Sequence, residues 1–391
     1  MQNTLDAWVR SKTMADDRSG LDAHIAGALR RALTHARQAP FYRQYPEVDG
    51  INTFSRLPTI DADTLARHGR YMVCAGAGDI SRIVSGGTSG TSGLQKRVWF
   101  SEEDQERTVD FFCAGMRALL QPGETALLFL PGCNPGGLQD LLSRGIARFG
   151  GRPHPFGSVS DLRTAARTLA DSGAVCAVGA PMQLLALCQY CANNRVAHSL
   201  KTALLSMEYA PRAVRQRLAA LGVETFDHYG MTEIGYGGAL ECTRHDGMHI
   251  RENDVFFEVL NAQGVPVEEQ MGEITVTTLT QRATPLVRYR TGDMGRIAGT
   301  PCDCGGIAKR LYTLGRSSVL AGLDESIFAL DQTIGWQWSG TREITVQVMG
   351  GRAIPPDAIA GYTLKTVPAG PVLQGTGKRA VAQGIRPDPP V

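Results

Sequence analysis

Three short apolar runs, at 126–130, 174–178 and 203–205, alternate with stretches whose apolar residues fall at helical spacing. Runs this short and this free of polar positions suit strands covered on both faces. The helices between them supply the crossovers that parallel strands need. The pattern predicts an α/β core around a largely parallel sheet. Upstream, residues 21–37 carry a helical repeat that Pro40 closes, because the residue before a proline is pushed out of the helical region. After about Gly237 the texture changes to strand-like runs at 250–259, 274–279 and 286–289, separated by Gly and Pro turns, which predicts a β-rich subdomain at about 237–315. Residues 316–391 carry a few short apolar runs, notably 344–349, and end in IRPDPPV. The expected organisation is therefore an N-terminal core over 1–315 and a small α+β domain over 316–391 with a frayed tail.

The 391 residues are 43% apolar and 20% charged, enough apolar material for such a core. Forty Lys plus Arg against thirty-eight Asp plus Glu leave a formal charge of +2. No global field selects nucleic acid or an anionic membrane, so any anion must be bound locally. The first residues, MQNTLDAWVRSKTMADD, contain no apolar signal region, and no stretch reaches the length of a membrane helix; a cytoplasmic protein is expected. Nine scattered cysteines fit reduced thiols and a metal site better than a disulfide framework.

The stretch VSGGTSGTSGLQKRVWFS, at 84–101, puts four glycines and five hydroxyls ahead of one lysine, Lys96. A glycine-rich turn can present several N–H groups to one anion, Ser and Thr add donors, and a lysine adds a point charge. Taken alone, the same composition is also that of a flexible linker. It is not a Walker A loop, since Leu94 and Gln95 separate Gly93 from Lys96.

TSGTSGLQK, at 88–96, resembles the signature loop of the adenylate-forming superfamily, S/T-S-G-T-T-G-x-P-K, with Ser92 for the usual threonine and Gln95 for the usual proline. The superfamily comprises acyl-CoA ligases, nonribosomal adenylation domains and luciferases. The resemblance implies that Thr88, Ser89, Gly90, Thr91, Ser92 and Gly93 cradle the phosphates of ATP with Lys96. Further elements follow in the family's order. FDHYGMTEIG, at 226–235, is similar to the Y-G-M-T-E element. By that likeness Tyr229, Gly230 and Met231 line the nucleotide, Tyr229 stacking on adenine, while Thr232 contacts the α-phosphate and Glu233 holds Mg²⁺. A carboxylate beside phosphate oxygens makes sense mainly with a hard cation between them. VRYRTGDMGRI, at 287–297, resembles Y-R-T-G-D, which gives Asp293 the ribose hydroxyls; alone, Thr-Gly-Asp reads as a plain β-turn. LGRSSV, at 314–319, matches the hinge element in Gly315 and Arg316, and implies a ribose contact for Arg316. Ser317 and Ser318 stand where the hinge acid is usual.

HARQAPFYRQY (35–45) and RLPTIDADTL (56–65) are similar to the opening of phenylacetate-CoA ligases and their relatives, with Ala39, Ile60 and Ala62 departing from the common Ser, Thr and Lys. That branch often carries a structural zinc, and Cys242, His249, Cys302 and Cys304 are the matching donors, with His245 as a competing ligand; unliganded thiols are the alternative. Cys188 and Cys191 lie in a helix-like run, where packing accounts for them. GTGKRAV, at 375–381, resembles the neighbourhood of the family's catalytic lid lysine, which makes Lys378 the candidate, although a solvated tail lysine reads the same way. The stretch after Arg316 is shorter than a complete family lid.

The resemblance implies AMP-forming activation of a carboxylic acid, followed by transfer to CoA or a carrier-protein thiol. The acyl pocket is expected around 129–137 and 235–239, where Gly235, Gly237 and Gly238 leave room for a flat, aromatic or arylacetic acid. Adenylylation of a phenolic or cofactor hydroxyl, and a non-catalytic nucleotide-binding relative, are the competing readings. A homodimer stays open.

Overall fold

The computed structural model describes residues 4–87, 95–316, 318–330, 332–339, 342–349 and 354–368. The chain divides into two compact units, one of Met1–Ala118 with His228–Arg316 and one of Leu119–Asp227 with Ser317–Val391. One of these boundaries falls at the junction the sequence singles out, Arg316 against Ser317.

The second unit is built from the alternation read in the sequence. Strands Arg152–Pro155, Thr125–Phe129, Cys176–Gly179, Thr202–Leu205 and Glu224–Tyr229 lie side by side in that order, all parallel. Helices Leu138–Arg148, Leu162–Ser172, Pro181–Asn193 and Arg212–Ala220 connect them. Each end has a local cause. Asp161 caps the helix Leu162–Ser172 by accepting from Arg163 N and Thr164 N, and Gly173 ends it at φ 60°, a conformation that costs glycine least. Cys188 and Cys191 are buried in the apolar core on the helix Pro181–Asn193, as packing requires. Burial pushes both thiols up, to about 12 and about 11.

The helix Ser318–Ala329 and a three-stranded sheet, Thr333–Trp338, Glu343–Val348 and Thr363–Pro368, share one hydrophobic cluster with this α/β layer. The helix Arg212–Ala220 begins after Pro211, which offers no side-chain cap. Glu325 supplies the missing acceptor from a distance: its carboxylate takes Arg212 N at 2.7 Å, Ala213 N at 3.3 Å and the Tyr209 hydroxyl at 2.7 Å. A carboxylate at a helix N-terminus is favoured by the helix dipole as well.

In the first unit, the helix Arg18–Ala36 covers the repeat read at 21–37 and starts at Asp17, whose side chain accepts from Gly20 N. The glycine loop interrupts a hairpin: Ile80–Gly87 pairs antiparallel with Gln95–Ser101, with Gly87 opposite Gln95. Beyond His228 the strands Ala239–Glu241, Met248–Ile250, Val255–Leu260, Gly272–Thr278, Tyr289–Ala298 and Arg310–Gly315 pair antiparallel.

Two strands depart from expectation. The run 250–259 is not one strand but two, because Arg251–Asp254 turns: Asp254 N donates to Arg251 O at 3.1 Å, and the Arg251 guanidinium closes on the Asp254 carboxylate at 2.8 Å. The run 286–289 only leads into a strand that begins at Tyr289 and continues through the Thr-Gly-Asp segment. Arg288, at φ 50°, breaks the extended backbone, and its guanidinium is drawn inward onto Glu258 at 3.0 and 3.2 Å. Thr-Gly-Asp is therefore an irregularity in a strand rather than a plain turn. The register slips there, Glu273 facing Met294 while Thr275 faces Arg290, and Gly292 takes φ 77°. A bulge of this kind re-aims side chains, here that of Asp293.

Candidate functional site

Two of the sequence-predicted site residues meet across 137 positions. Lys96, near the start of the strand Gln95–Ser101, places its Nζ 2.5 Å from Glu233 Oε1. Glu233 sits on a single helical turn, Thr232–Ile234, that follows the strand end at Tyr229. The turn is fixed by its own chain: Tyr236 N donates to Met231 O at 2.8 Å and Gly238 N to Tyr229 O at 2.9 Å, while Gly235 ends the turn at φ 74°. From outside, the buried Thr108 hydroxyl donates to Gly235 O at 2.9 Å. Gly230 is required for steric reasons, since a Cβ there would lie 1.6 Å from Tyr236 O.

Glu233 is 6% exposed, and a buried carboxylate needs both a counter-charge and donors. Lys96 supplies the charge. Tyr289 supplies a donor, its hydroxyl 3.2 Å from Glu233 Oε1 and 3.5 Å from Lys96 Nζ. Burial, helped by the charge of Glu233, pushes the Tyr289 phenol well up, so it stays protonated and donating.

A second group holds Asp293. The Tyr229 hydroxyl donates to Asp293 Oδ2 at 2.9 Å, and Arg316 Nε lies 3.6 Å from Oδ1. Burial and the neighbouring Asp293 charge raise the Tyr229 phenol far above its ordinary value. Asp293 is oriented further by its own N–H, which donates to Thr291 Oγ1 at 3.0 Å. Each carboxylate oxygen thus has a partner, Tyr229 on Oδ2 and Arg316 on Oδ1.

Thr88, Ser89, Gly90, Thr91, Ser92 and Gly93 lie outside the described residues, as does Lys378. The hairpin that carries the loop does bring Lys96 to Glu233. Gly230 and Met231 lie on the segment that leads into the Glu233 turn, and Thr232 is the turn's first residue.

The glycines expected to open an acyl pocket are packed instead. A Cβ on Gly237 would meet the Phe111 ring at 2.3 Å, one on Gly235 would meet Thr108 Oγ1 at 2.5 Å, and one on Gly238 would meet Ile234 and Phe257 at 3.0 Å. Their smallness admits neighbouring side chains rather than leaving open space. His228 lies beside Phe111 and Phe112, with ring centroids 6.0 and 6.1 Å away, and burial lowers its imidazole to about 4.

Among the described residues, Cys242, His249, Cys302 and Cys304 have donor atoms all within 4.8 Å of one another. Cys242 Sγ and Cys302 Sγ are 3.9 Å apart, close to the roughly 3.8 Å that two thiolates span across a tetrahedral zinc. Cys304 Sγ is 3.3 Å from His249 Nε2. His245 is not part of the group; its Nδ1 faces Glu241 Oε2 at 3.1 Å. Without a cation, burial raises the Cys242 thiol to about 12 and lowers the His249 imidazole. Asp6, some three hundred positions away, braces the loop by accepting from Ile307 N at 2.6 Å and Ala308 N at 3.2 Å.

Sequence reasoning assigned no role to Tyr289, Thr108 or Asp6. For Tyr289 a signal existed, because it stands four positions before Asp293 in one strand, a spacing that favours a shared face. For Asp6 and Thr108 no local signal exists.

No family model matches the sequence. Over 112 residues the chain is 38% identical to the phenylacetate-coenzyme A ligase of Thermus thermophilus, a match covering 27% of this chain and 25% of that protein. Over 104 residues it is 36% identical to the Escherichia coli phenylacetate-coenzyme A ligase, covering 25% and 24%. These matches span about a quarter of the curated relatives' length. Among solved structures, 2-hydroxyisobutyryl-CoA ligase in its postadenylation state with 2-HIB-AMP superposes with a TM-score of 0.80 over 94% of this chain and 90% of that one, at 17% identity. The anthranilate CoA ligase AuaEII with anthranoyl-AMP gives 0.52 over 76% and 66%, at 14% identity.

Proposed function

We propose that this chain, which has the fold of the CoA ligases and shares sequence with phenylacetate-CoA ligases over about a quarter of its length, is an AMP-forming acid ligase. In this reading a carboxylate oxygen attacks the α-phosphorus of ATP, pyrophosphate leaves, and the acyl adenylate is passed to the thiol of CoA, releasing AMP. The observation that carries it is the convergence of Lys96 with Glu233. A cation from the glycine hairpin and a carboxylate from the Y-G-M-T-E turn meet at one point, which is what service to a single ligand requires.

The residues divide the work. Lys96 and the loop 88–93 neutralise and hold the triphosphate, which is the main task in transfer at phosphorus, where positioning and charge dominate. Glu233, with Tyr289 fixing its orientation, is the carboxylate suited to Mg²⁺, which when bound would offset the phosphate charge. When phosphate arrives, Lys96 is drawn from Glu233 toward it, and Glu233 becomes available to the metal. Asp293 and Arg316 take the ribose, and Thr232 the α-phosphate. Lys378, on the segment after Arg316, is the proposed lid lysine that reaches the reacting carboxylate. An aromatic or arylacetic acid is the proposed substrate class, in keeping with the phenylacetate-CoA ligase relatives.

The three thiols and the imidazole fit a closed structural zinc site: donor number, donor type and sulfur spacing all suit it. Cys242, His249, Cys302 and Cys304 would hold the ion as thiolates and neutral imidazole, tying the strand Met248–Ile250 to the loop before the strand Arg310–Gly315. No described helix is long and apolar enough to cross a membrane, and ATP with CoA as substrates suits a cytoplasmic setting.

The deciding experiment is ATP–pyrophosphate exchange with Mg²⁺ across aromatic, arylacetic and aliphatic acids, with mass spectrometry for acyl-AMP and acyl-CoA. Exchange with an acid, lost in Glu233→Ala, supports the assignment. An adenylylated phenol in place of a thioester would replace the acceptor, and no exchange with any acid would remove the ligase reading.

A further inference from the structure

Outside the residues assigned above, the first unit holds a second cleft of about 250 Å³, formed by the helices Thr4–Thr13, Arg18–Ala36 and Glu102–Met116 and by residues at 253–254 and 278–285. Its lining is unbalanced in charge. Lys12, Arg31, Arg107 and Arg282 face it, against Asp110 and Asp254, while Glu103 beside it pairs with Arg107 at 2.6 Å and with Arg282 at 3.5 Å. Both acids of the lining are already engaged. Asp110 holds Lys12 at 3.1 Å, and Asp254 takes Arg251 Nε at 2.8 Å, the Thr280 hydroxyl at 2.8 Å and Asn253 Nδ2 at 3.0 Å. Arg31, on the exposed side, forms no ion pair among the described residues.

Two buried polar atoms of this lining have no hydrogen-bond partner, Arg107 Nε and Asn253 Oδ1, and Asn253 is only 6% exposed. Leaving such a group unmet costs roughly 1–3 kcal/mol. One is a donor and the other an acceptor, and they are neighbours. Arg107 Nη1 lies 3.5 Å from Asp254 Oδ1, and Asn253 Nδ2 binds the other oxygen of the same carboxylate.

We infer that this cleft binds a small anion that also carries a hydroxyl group, its charged oxygen on Arg107 Nε–H and Arg31 and its hydroxyl donating to Asn253 Oδ1. A bare anion would leave Asn253 unmet, and a neutral alcohol would leave Arg31 without a counter-charge. A hydroxycarboxylate and a phosphate monoester of a polyol share the needed chemistry. The position also reaches the nucleotide site through bonded neighbours. Thr108, next to Arg107, braces Gly235, and Arg251 links Arg107 O at 2.9 Å to Gly238 O at 2.8 Å.

The test uses the full chain, with malate and glycerol 2-phosphate as separate probes, followed by thermal melting and calorimetry at matched ionic strength. One or both should raise the melting temperature saturably, as a ligand of the native state does. The effect should persist in Glu233→Gln, which alters the nucleotide site, and weaken at least about tenfold in Arg31→Gln, the loss of a charged hydrogen-bond partner. Arg31 is exposed, so its variant folds. Response to malate alone assigns the carboxylate, and to glycerol 2-phosphate alone the phosphate ester. No saturable response to either probe, or a response that survives Arg31→Gln but vanishes in Glu233→Gln, overturns the inference.

Discussion

Replacing Tyr289 by phenylalanine isolates one atom of the proposed metal and phosphate site. The ring stays and leaves no cavity; only the hydroxyl 3.2 Å from Glu233 Oε1 and 3.5 Å from Lys96 Nζ is lost. In the free protein the carboxylate keeps Lys96 at 2.5 Å, so folding stability should drop by about 1 kcal/mol, the ordinary worth of one hydrogen bond. On the proposed function the cost grows when nucleotide draws Lys96 onto phosphate, because Tyr289 would then be the side-chain donor left to orient Glu233. A hydrogen bond to a charged group contributes about 1.5–3 kcal/mol, which is roughly tenfold to a hundredfold in affinity, so about tenfold is the lower bound expected. The assay is pyrophosphate exchange as a function of Mg²⁺ at fixed ATP, with calorimetry of ATP binding with and without the metal. Tyr289→Phe should raise the half-saturating Mg²⁺ concentration at least about tenfold and leave metal-free ATP binding unchanged, whereas Lys96→Met should weaken both. Equal weakening of metal-free ATP binding in Tyr289→Phe, or an unchanged Mg²⁺ requirement, would refute the idea that this hydroxyl positions Glu233.

Gly230→Ala should cost several kcal/mol of stability or abolish exchange outright, because its Cβ would fall 1.6 Å from a backbone oxygen that cannot move without unfolding the Glu233 turn; melting and exchange are the readouts. His228 titrates near 4 when folded against about 6.5 unfolded, so the unfolded chain takes up its proton first as pH falls. That contribution is complete above about pH 6.5 and is lost on descending toward 4. It amounts to roughly 2 kcal/mol, since the residue keeps some surface exposure, and His228→Gln should flatten the denaturation midpoint over that window. Freshly purified protein should carry about one zinc per chain by elemental analysis, and chelation should lower the melting temperature as much as Cys304→Ser does; metal-free protein with an unchanged melting point would remove the zinc reading.

Elements that depend on neighbours in sequence were legible before the structure. The helix over 21–37, the parallel strands and the buried Cys188–Cys191 pair all follow from periodicity, caps and apolar runs. The ordered motifs assign Lys96 and Glu233 to one ligand without foreseeing that the two side chains touch; the structure brings them to 2.5 Å, and their service to a nucleotide belongs to the proposed function. What escaped depends on distant partners. The break at Arg251–Asp254 needs a guanidinium to close on a carboxylate three positions on, inside a run that reads as strand. The early end of the 286–289 run needs Glu258 to draw Arg288 inward, and Asp6 could not be tied to the cysteine loop from anything near either.

Glycine shows the limit most clearly. In a sequence it records that a Cβ is excluded, and says nothing of what excludes it. At Gly230 the excluder is the chain's own backbone, so the residue serves the geometry of the turn. At Gly237 it is the Phe111 ring, so the residue serves packing, and the open space expected beside the adenylate is already filled. In the proposed ligase, selection among acids at these positions would fall to the side chains that crowd them rather than to the glycines themselves. Phe111 is 1% exposed and rests on Gly237, His228, Phe112 and Trp8 at once, so any change in its volume transmits directly to the segment following Glu233. Phe111→Leu should therefore alter the relative exchange rates with bulky and slender acids while leaving the Mg²⁺ requirement untouched. A uniform loss across acids would mean that the ring supports the fold alone.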